Sequence, residues 1–162
     1  MLAAMGASGA GELSGRRAPG FSLPEGPGVQ RDLQDYRGKI LILDFMQVTC
    51  EHCAAFSAIL EQARARYGDK IAILSIVNPP SDAKGVADYI TQHKIKTPIL
   101  FDCGQVAFSY LKPDPASPSI TIPHVFLIDG AGMIRNDFAF GNSTLEIFQR
   151  KGLFAEIDKL LK

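Results

Sequence analysis

No segment restricts the possible folds of this chain more than ILILDFMQVTCEHC, residues 40–53. Its first seven residues are apolar except for Asp44, a pattern that is typical of a strand covered on both faces. A carboxylate that is buried and ionised without a partner costs several kcal/mol. Two thiols, Cys50 and Cys53, follow this strand closely, and they are the first candidates to explain why a carboxylate lies inside it.

The rest of the sequence predicts helices and strands in alternation. Apolar residues at helical spacing from Phe56 to Tyr67 predict an amphipathic helix that ends at Gly68. Apolar runs predict strands over residues 70–78, 97–101, 123–129 and 133–140, with helices over 81–93, 104–110 and the C-terminal segment. The order β-α-β-α-β-α-β-β-α predicts an α/β fold with a central mixed β-sheet flanked by helices on both faces.

The C-terminal segment has a helix-start signal and a helix-weakening residue. Ser143 and Glu146 have the spacing of a capping box, which predicts that a helix begins there. Gly152 weakens this helix in its middle, so two shorter helices are an alternative.

Length and charge limit the domain organisation and the partners. A chain of 162 residues is most simply one domain. Residues 1–17, rich in Ala, Gly and Ser, are predicted to be a disordered N-terminal tail, and residues 18–162 the folded domain. Lys plus Arg and Asp plus Glu each number 17, so nothing favours a nucleic acid or an anionic membrane as partner. No apolar run approaches the roughly 20 residues that span a bilayer.

The C-x-x-C pair is the clearest chemical signal. One such pair near a βαβ pattern favours redox chemistry, whereas a zinc site would need a second pair of ligands. At the start of the predicted helix, Cys50 faces unpaired backbone N–H groups and the positive end of the helix dipole, which favour the thiolate. Because the thiolate is the attacking species, Cys50 is predicted to be the nucleophile and Cys53 the resolving thiol.

Four further residues are candidates of lesser weight. A protonated His52 would stabilise a neighbouring thiolate and Glu51 would oppose it, so both are predicted to tune the redox chemistry. A solvated helix position is the alternative for His52. Cys103 is expected to be a partly buried, unreactive thiol, and His93 a solvated cation at a helix C-terminus.

These motifs resemble a known family. Residues 40–53 look like the active-site segment of thioredoxin-fold proteins. The preceding RRAPGFSLP and VQRDLQDYRGKILILDF are similar to the leader of the TlpA/ResA-like branch of thiol–disulfide oxidoreductases, which is related to the AhpC/TSA redoxins. TIPHVFLIDGAGMI, residues 121–134, and FAFG, residues 138–141, fit the same branch. The resemblance covers about residues 18–160 and implies a thioredoxin-like fold.

The resemblance also implies roles for individual residues. Asp44 matches the buried carboxylate that accepts the proton of the resolving thiol; a carboxylate satisfied by backbone or lysine contacts is the alternative. Pro123 matches a cis-proline that lies against the cysteines, with the Ile122 backbone free to pair with an extended substrate. An ordinary trans-proline is the alternative. His124 either borders this substrate groove or is a plain surface residue.

The sequence departs from the family at the thiol pair. Thr49 replaces the tryptophan that is usual before the first cysteine, and no proline lies between the cysteines. These departures leave the direction of electron flow open.

The expected activity is thiol–disulfide exchange with protein substrates. A peroxidase is a weaker alternative, because Gln47 stands where peroxiredoxin-like sites have threonine. The other alternative is a Cu(I)-binding module that uses Cys50, Cys53 and a histidine. Against it, the copper-delivery proteins of this fold are similar to C-x-x-x-C in their cysteine spacing, not to C-x-x-C.

The expected partners follow from this activity. They are protein thiol or disulfide substrates and a redox partner protein, with no cofactor or metal beyond the Cys50–Cys53 disulfide. The chain is expected to be a monomer without nucleic-acid contacts, and a membrane link is expected only through a missing N-terminal anchor. The family resemblance implies an extracytoplasmic location, periplasmic or membrane-anchored.

Overall fold

A five-stranded sheet forms the centre of the computed structural model, which describes residues 11–162. A separate hairpin of β1 (Ser22–Gly26) and β2 (Val29–Asp32) precedes the sheet strands, which are β3 (Ile40–Met46), β4 (Ile71–Val77), β5 (Ile99–Phe101), β6 (His124–Ile128) and β7 (Ile134–Ala139). Their order is β5-β4-β3-β6-β7. The neighbours β3, β4 and β5 are parallel, whereas β6 is antiparallel to both β3 and β7.

Helices cover both faces of this sheet. They are α1 (Glu51–Tyr67), α2 (Ala83–His93), α3 (Gln105–Leu111) and α4 (Arg150–Leu160). Apolar residues of α1 and α4 pack on one face, and α3 packs on the other together with Phe21 and Leu33 from the N-terminal region. The mixed sheet with helices on both faces confirms the predicted fold class, and the order of elements from β3 onward matches the predicted order.

Strand alternation places Asp44 on the face of β3 that carries α1. Ile40 and Ile42 pack against α1 and α4, and Met46 at the strand end packs against Cys53. Successive side chains of a strand point to opposite faces, so Asp44 shares the face of Ile42 and Met46. The carboxyl therefore lies inside the sheet–helix layer, close to the point where α1 begins.

The N-terminal residues that the structure describes are part of the fold. The backbone N–H of Gly15 donates to the Ile134 carbonyl at 2.9 Å, and the N–H of Ile134 donates to the Arg16 carbonyl at 2.8 Å. Residues 11–17 therefore line the outer edge of β7, and the predicted disordered tail is wrong for them. An unpaired sheet edge favours such coverage, which apolar periodicity does not reveal. Residues 1–10 of the predicted tail lie outside the described residues.

The C-terminal helix begins later than the capping box predicts. The short 3₁₀ turn Asn142–Thr144 lies where a helix was expected to start, and α4 begins only at Arg150. At Gly152, in the first turn of α4, an added Cβ would collide with the Glu146 carbonyl. The absence of a side chain lets residues before α4 pack directly across the helix.

We therefore expect Gly152→Ala to destabilise the protein, although alanine is the better helix former. The added methyl would force the backbone near Glu146 to move, and overpacking of this kind costs about 1–3 kcal/mol. Urea denaturation measures the loss in the free energy of unfolding. Gly20→Ala is the matched control, because a Cβ at Gly20 meets no atom of residues 11–162 within 4 Å. Equal stability of Gly152→Ala and wild type would contradict the packing argument.

Candidate active site

Cys50 and Cys53 form a disulfide at the N-terminus of α1, with 5.1 Å between their Cα atoms. Cys50 is the N-cap residue, and its Sγ accepts a hydrogen bond from the Cys53 backbone N–H at 3.1 Å. Cys50 is partly exposed, whereas Cys53 is 0% exposed. A large substrate can therefore reach the sulfur of Cys50 but not that of Cys53, which fits the roles that the sequence predicts for them.

The loop between β3 and α1 fixes the position of Cys50. The Cys50 N–H donates to the Gln47 carbonyl at 3.2 Å, which closes a turn. The Gln47 side-chain amide donates in addition to the Pro79 carbonyl at 3.1 Å. Gln47 is therefore used to join this loop to the segment after β4, a role that its sequence position did not reveal.

Asp44 is buried completely, and neither carboxyl oxygen has a hydrogen-bond partner among the described residues. Burial raises the pKa of Asp44 to about 8. The Ser75 hydroxyl on β4, which pairs in register with Asp44, opposes this shift only in part because it does not reach hydrogen-bonding geometry. The alternative of a carboxylate satisfied by backbone or lysine contacts is therefore wrong. Asp44 is able to exchange a proton near neutral pH.

A buried pair of hydroxyl groups lies near Asp44 below α1. The hydroxyls of Ser57 and Tyr89 lie 2.7 Å apart, and both residues are buried. Burial raises the pKa of Tyr89, and the Ser57 hydrogen bond opposes that shift while Asp44 adds to it. Sequence reasoning missed this group. Ser57 follows Cys53 by one helical turn, and this spacing indicates that the two residues share a helix face. Tyr89 and Ser75 come from other elements, so the sequence gives no such indication for them.

The Ile122–Pro123 peptide bond is cis, as the resemblance implies, and Pro123 is buried. Ile122 packs at the edge of the apolar cluster that contains Cys53, and Cys50 borders the same cluster. No hydrogen bond of the Ile122 backbone is present among the described residues, so this backbone is available to an extended chain. A second cis bond, Pro79–Pro80, was not predicted.

Both residues between the cysteines are exposed, but His52 is not simply solvated. Its ring stacks on the ring of Phe140, with 4.2 Å between the centroids and 24° between the planes. Phe140 directly follows β7, and it lies in FAFG, one of the segments through which the sequence resembles the TlpA/ResA-like branch. Its contact with His52 was not predicted, because the two residues are far apart in the chain.

His124 lies elsewhere than predicted. It is buried, its Nε2 lies 2.9 Å from the Asp137 carboxylate, and its ring stacks on Phe126. Phe126 belongs to the core on the face opposite α1. His124 is therefore not a plain surface residue, and its side chain points away from the thiol pair. Alternation along β6 explains this, because the residue after Pro123 points to the other face.

Asp137 is held ionised by its partners. Burial pushes the pKa of its carboxyl upward, but hydrogen bonds from His124, Ser14 and the Leu13 N–H outweigh burial and lower the pKa. Since the folded pKa lies below the ordinary value of about 3.9, this stabilisation is full above that pH. It is lost as the pH falls through the lowered pKa.

We therefore expect Asp137→Asn to destabilise the protein by about 1–3 kcal/mol at neutral pH, because it weakens several buried hydrogen bonds. The difference from wild type should shrink as the pH falls below about 4. Chemical denaturation at neutral and acidic pH measures both. Asp69→Asn, at an exposed position, serves as the control. A difference that stays constant with pH would contradict the assigned pKa shift.

The remaining candidates lie outside this site. Cys103 is exposed and free, so the predicted partial burial is wrong. His93 is exposed in the last turn of α2, as predicted.

Within residues 11–162, no group of three or more His, Cys, Asp or Glu side chains is placed to hold a metal ion. None of the helices described is long and apolar enough to cross a membrane.

Comparison with known proteins adds to this geometry. The model of the AhpC/TSA family matches residues 14–137, most of the chain. The chain belongs to the AhpC/TSA family. It is 26% identical over 143 residues to the thioredoxin-like protein YneN of Bacillus subtilis (strain 168), covering 87% of this chain and 79% of YneN. It is 26% identical over 121 residues to the thiol-disulfide oxidoreductase ResA of Bacillus thuringiensis (strain Al Hakam), covering 74% and 66%.

The structure of this AhpC/TSA-family member resembles solved structures of the thioredoxin fold. A Chlorobium tepidum protein assigned as the thiol:disulfide interchange protein DsbE superposes with a TM-score of 0.75 and 22% identity. The match covers 92% of this chain and 98% of that protein. The family match and this likeness confirm the resemblance and the thioredoxin-like fold that the sequence predicts.

The two alternative activities are not favoured by the arrangement in this AhpC/TSA-family chain. Gln47, which stands in the threonine position of peroxiredoxin-like sites, holds the Pro79 carbonyl. For Cu(I), His124 faces away from the thiols and pairs with Asp137, while His52 is stacked on Phe140. Neither histidine therefore completes a ligand set with the two cysteines as the described residues are arranged.

Proposed function

We propose that this chain exchanges its Cys50–Cys53 pair with the disulfides or dithiols of protein substrates. The observation that carries the proposal is the disulfide at the N-terminus of α1, with Cys50 accessible and Cys53 buried. Cys53 lies on the sheet face that carries Asp44, whose carboxyl oxygens have no hydrogen-bond partner in the part of the chain that the structure describes. The enzyme class, thiol–disulfide oxidoreductase, is confirmed by the cysteine pair together with the thioredoxin-like and oxidoreductase relatives. Protein substrates and a redox partner protein are the added proposal.

Reduction of a substrate proceeds in two exchanges. The Cys50 thiolate attacks one sulfur of the substrate disulfide, that S–S bond breaks, and the departing substrate thiolate takes a proton from water. Cys53 then loses its proton and attacks the Cys50 sulfur, which breaks the mixed disulfide and releases the second substrate thiolate. The substrate gains two electrons, and the Cys50–Cys53 dithiol becomes a disulfide. The same steps in reverse oxidise a dithiol substrate.

Asp44 serves the second exchange. Its carboxylate takes the proton of Cys53 through water, and the raised pKa makes this transfer possible near neutral pH. The Ile122 backbone, beside Pro123, pairs with an extended segment of the substrate and brings its sulfur to Cys50. No cofactor beyond the disulfide takes part in this scheme.

The place of action is part of the proposal. The TlpA/ResA-like branch that the sequence resembles is typically extracytoplasmic, and exchange of protein disulfides is chemistry suited to an oxidising compartment. We place the protein there, as a monomer, with a dithiol or disulfide protein as its redox partner.

Reduction of insulin, followed by turbidity in metal-free buffer with a dithiol donor, tests the proposal. Turnover by wild type supports thiol–disulfide exchange, and Cys103→Ser should retain it because Cys103 is a free thiol outside the pair. Titration of the reduced protein with Cu(I) runs in parallel. Stoichiometric Cu(I) binding without insulin turnover would replace the exchange proposal by a copper-binding function.

A further inference from the structure

A row of aromatic rings in contact connects His52 to the interior. The His52 ring lies on Phe140 at 4.2 Å between centroids, and Phe140 meets Phe148 edge-on at 5.3 Å. Phe148 in turn meets Phe56 edge-on at 4.8 Å. Phe56 lies on α1, the helix that begins at the thiol pair, and it is buried. The row therefore starts and ends on the same helix, and within residues 11–162 Phe140 is the aromatic ring that meets His52.

Phe140 also contacts the substrate side of the site. Its backbone N–H donates to the Pro123 carbonyl at 3.0 Å. The same residue thus touches the helix turn that carries the cysteines and the segment proposed to bind substrate. The Phe140 ring is partly buried. Phe148 packs against it edge-on, and His52 stacks on one of its faces.

We propose that Phe140 is a positioning residue, whose ring holds the His52 imidazole over the first turn of α1 and thereby favours the reduced form of the Cys50–Cys53 pair. This inference rests on the proposed function. Stacking on the Phe140 ring fixes the His52 imidazole in the helix turn that carries Cys50. A positive charge there stabilises the Cys50 thiolate, which exists only in the dithiol state. Glu51, the exposed acidic residue of the same turn, acts in the opposite sense.

Redox equilibration with glutathione at about pH 6 tests this role. The measured quantity is the ratio [GSH]²/[GSSG] at which half of the pair is reduced. Phe140→Leu should raise this ratio about two- to fivefold, the effect of a lost exposed cation–aromatic contact. His52→Ala should raise it by a similar or larger factor, and adding Phe140→Leu to His52→Ala should change nothing more. Phe140→Tyr, which keeps the ring, should behave as wild type.

Two further measurements separate positioning from a general packing effect. Phe138→Leu removes a buried ring of β7, two residues before Phe140. Among the described residues the His52 ring stacks on Phe140 and not on Phe138, so this variant should leave the glutathione ratio unchanged. In wild type, the ring protons of His52 should show the upfield NMR shift that a stacked aromatic ring produces, whether or not Phe140→Leu folds.

Several results would overturn the role of Phe140. One is a glutathione ratio that Phe140→Leu leaves unchanged. Another is a double variant in which the separate effects of Phe140→Leu and His52→Ala multiply. The third is a wild-type protein whose His52 ring protons show no upfield shift. If wild type itself shows no glutathione midpoint, the proposed exchange function fails and this inference fails with it. A wild-type midpoint that Phe140→Leu does not move would remove this inference alone.

Discussion

Cys50→Ser is expected to abolish insulin reduction, lowering turnover by on the order of a thousandfold or more, because no other thiol is placed to attack. Cys53 is 0% exposed and cannot substitute for Cys50, and Cys103 lies in the loop between β5 and α3. The nucleophile is therefore a single atom, the Cys50 sulfur. A steady-state insulin assay on the purified variant measures the loss.

Cys53→Ser should fail at a different step. The Cys50 thiolate can still attack a substrate disulfide, but nothing resolves the mixed disulfide, so a covalent complex with the substrate accumulates. Non-reducing electrophoresis and intact mass should show this complex for Cys53→Ser and not for Cys50→Ser. Accumulation of the complex by Cys50→Ser instead would reverse the two assignments.

Asp44→Asn is expected to increase stability in a strongly pH-dependent way. The carboxyl has a pKa of about 8 in the folded protein and near 3.9 when unfolded. Between these values the folded state holds a proton that the unfolded state has released, so stability falls as the pH rises from about 4 to 8. The slope is at most about 1.4 kcal/mol per pH unit.

Asparagine removes this titration. We expect Asp44→Asn to be more stable than wild type by about 2–4 kcal/mol at pH 8, and to differ little at pH 4. Urea denaturation across this pH range gives the comparison, with Asp69→Asn as the exposed control. A stability difference that does not change between the two pH values would show that Asp44 does not titrate in this range.

The same substitution should slow the exchange reaction unequally. Attack by Cys50 does not use Asp44, whereas attack by Cys53 needs a proton acceptor, so release of the mixed disulfide should slow more than its formation. General-base contributions are typically on the order of 100-fold or more. Rapid mixing with acid quench, followed by separation of the covalent complex, measures both steps. Equal slowing of both would remove Asp44 from the mechanism.

The parts of the fold that were predictable are those encoded by local periodicity. Continuous apolar runs identified β3 and β4, and Gly68 marked the end of α1. The late start of α4 was not predictable from the capping-box spacing of Ser143 and Glu146, and neither was the close approach of the Glu146 carbonyl to Gly152, which exists only in the folded chain. The course of residues 11–17 along β7 likewise depends on an edge that exists only after the sheet has formed.

The site divides in the same way. Asp44, Cys50 and Cys53 were visible because one short segment holds all of them, and its strand–loop–helix order fixes their relation. Pro123 needed the family resemblance. His124 was misplaced because one residue of strand alternation decides which face a side chain reaches. Phe140, like Tyr89, comes from an element distant in sequence, and only the folded structure brings it to the thiol pair or the buried carboxyl.

The central claim is that Cys50 and Cys53 interconvert reversibly between dithiol and disulfide. Incubation in glutathione buffers of graded ratio, rapid alkylation and mass spectrometry of the whole chain test it directly. We predict that Cys50 and Cys53 gain their labels together in one two-electron transition, with Cys103 labelled throughout. A chain in which Cys50 and Cys53 stay labelled at every ratio, or gain their labels independently, would contradict the account.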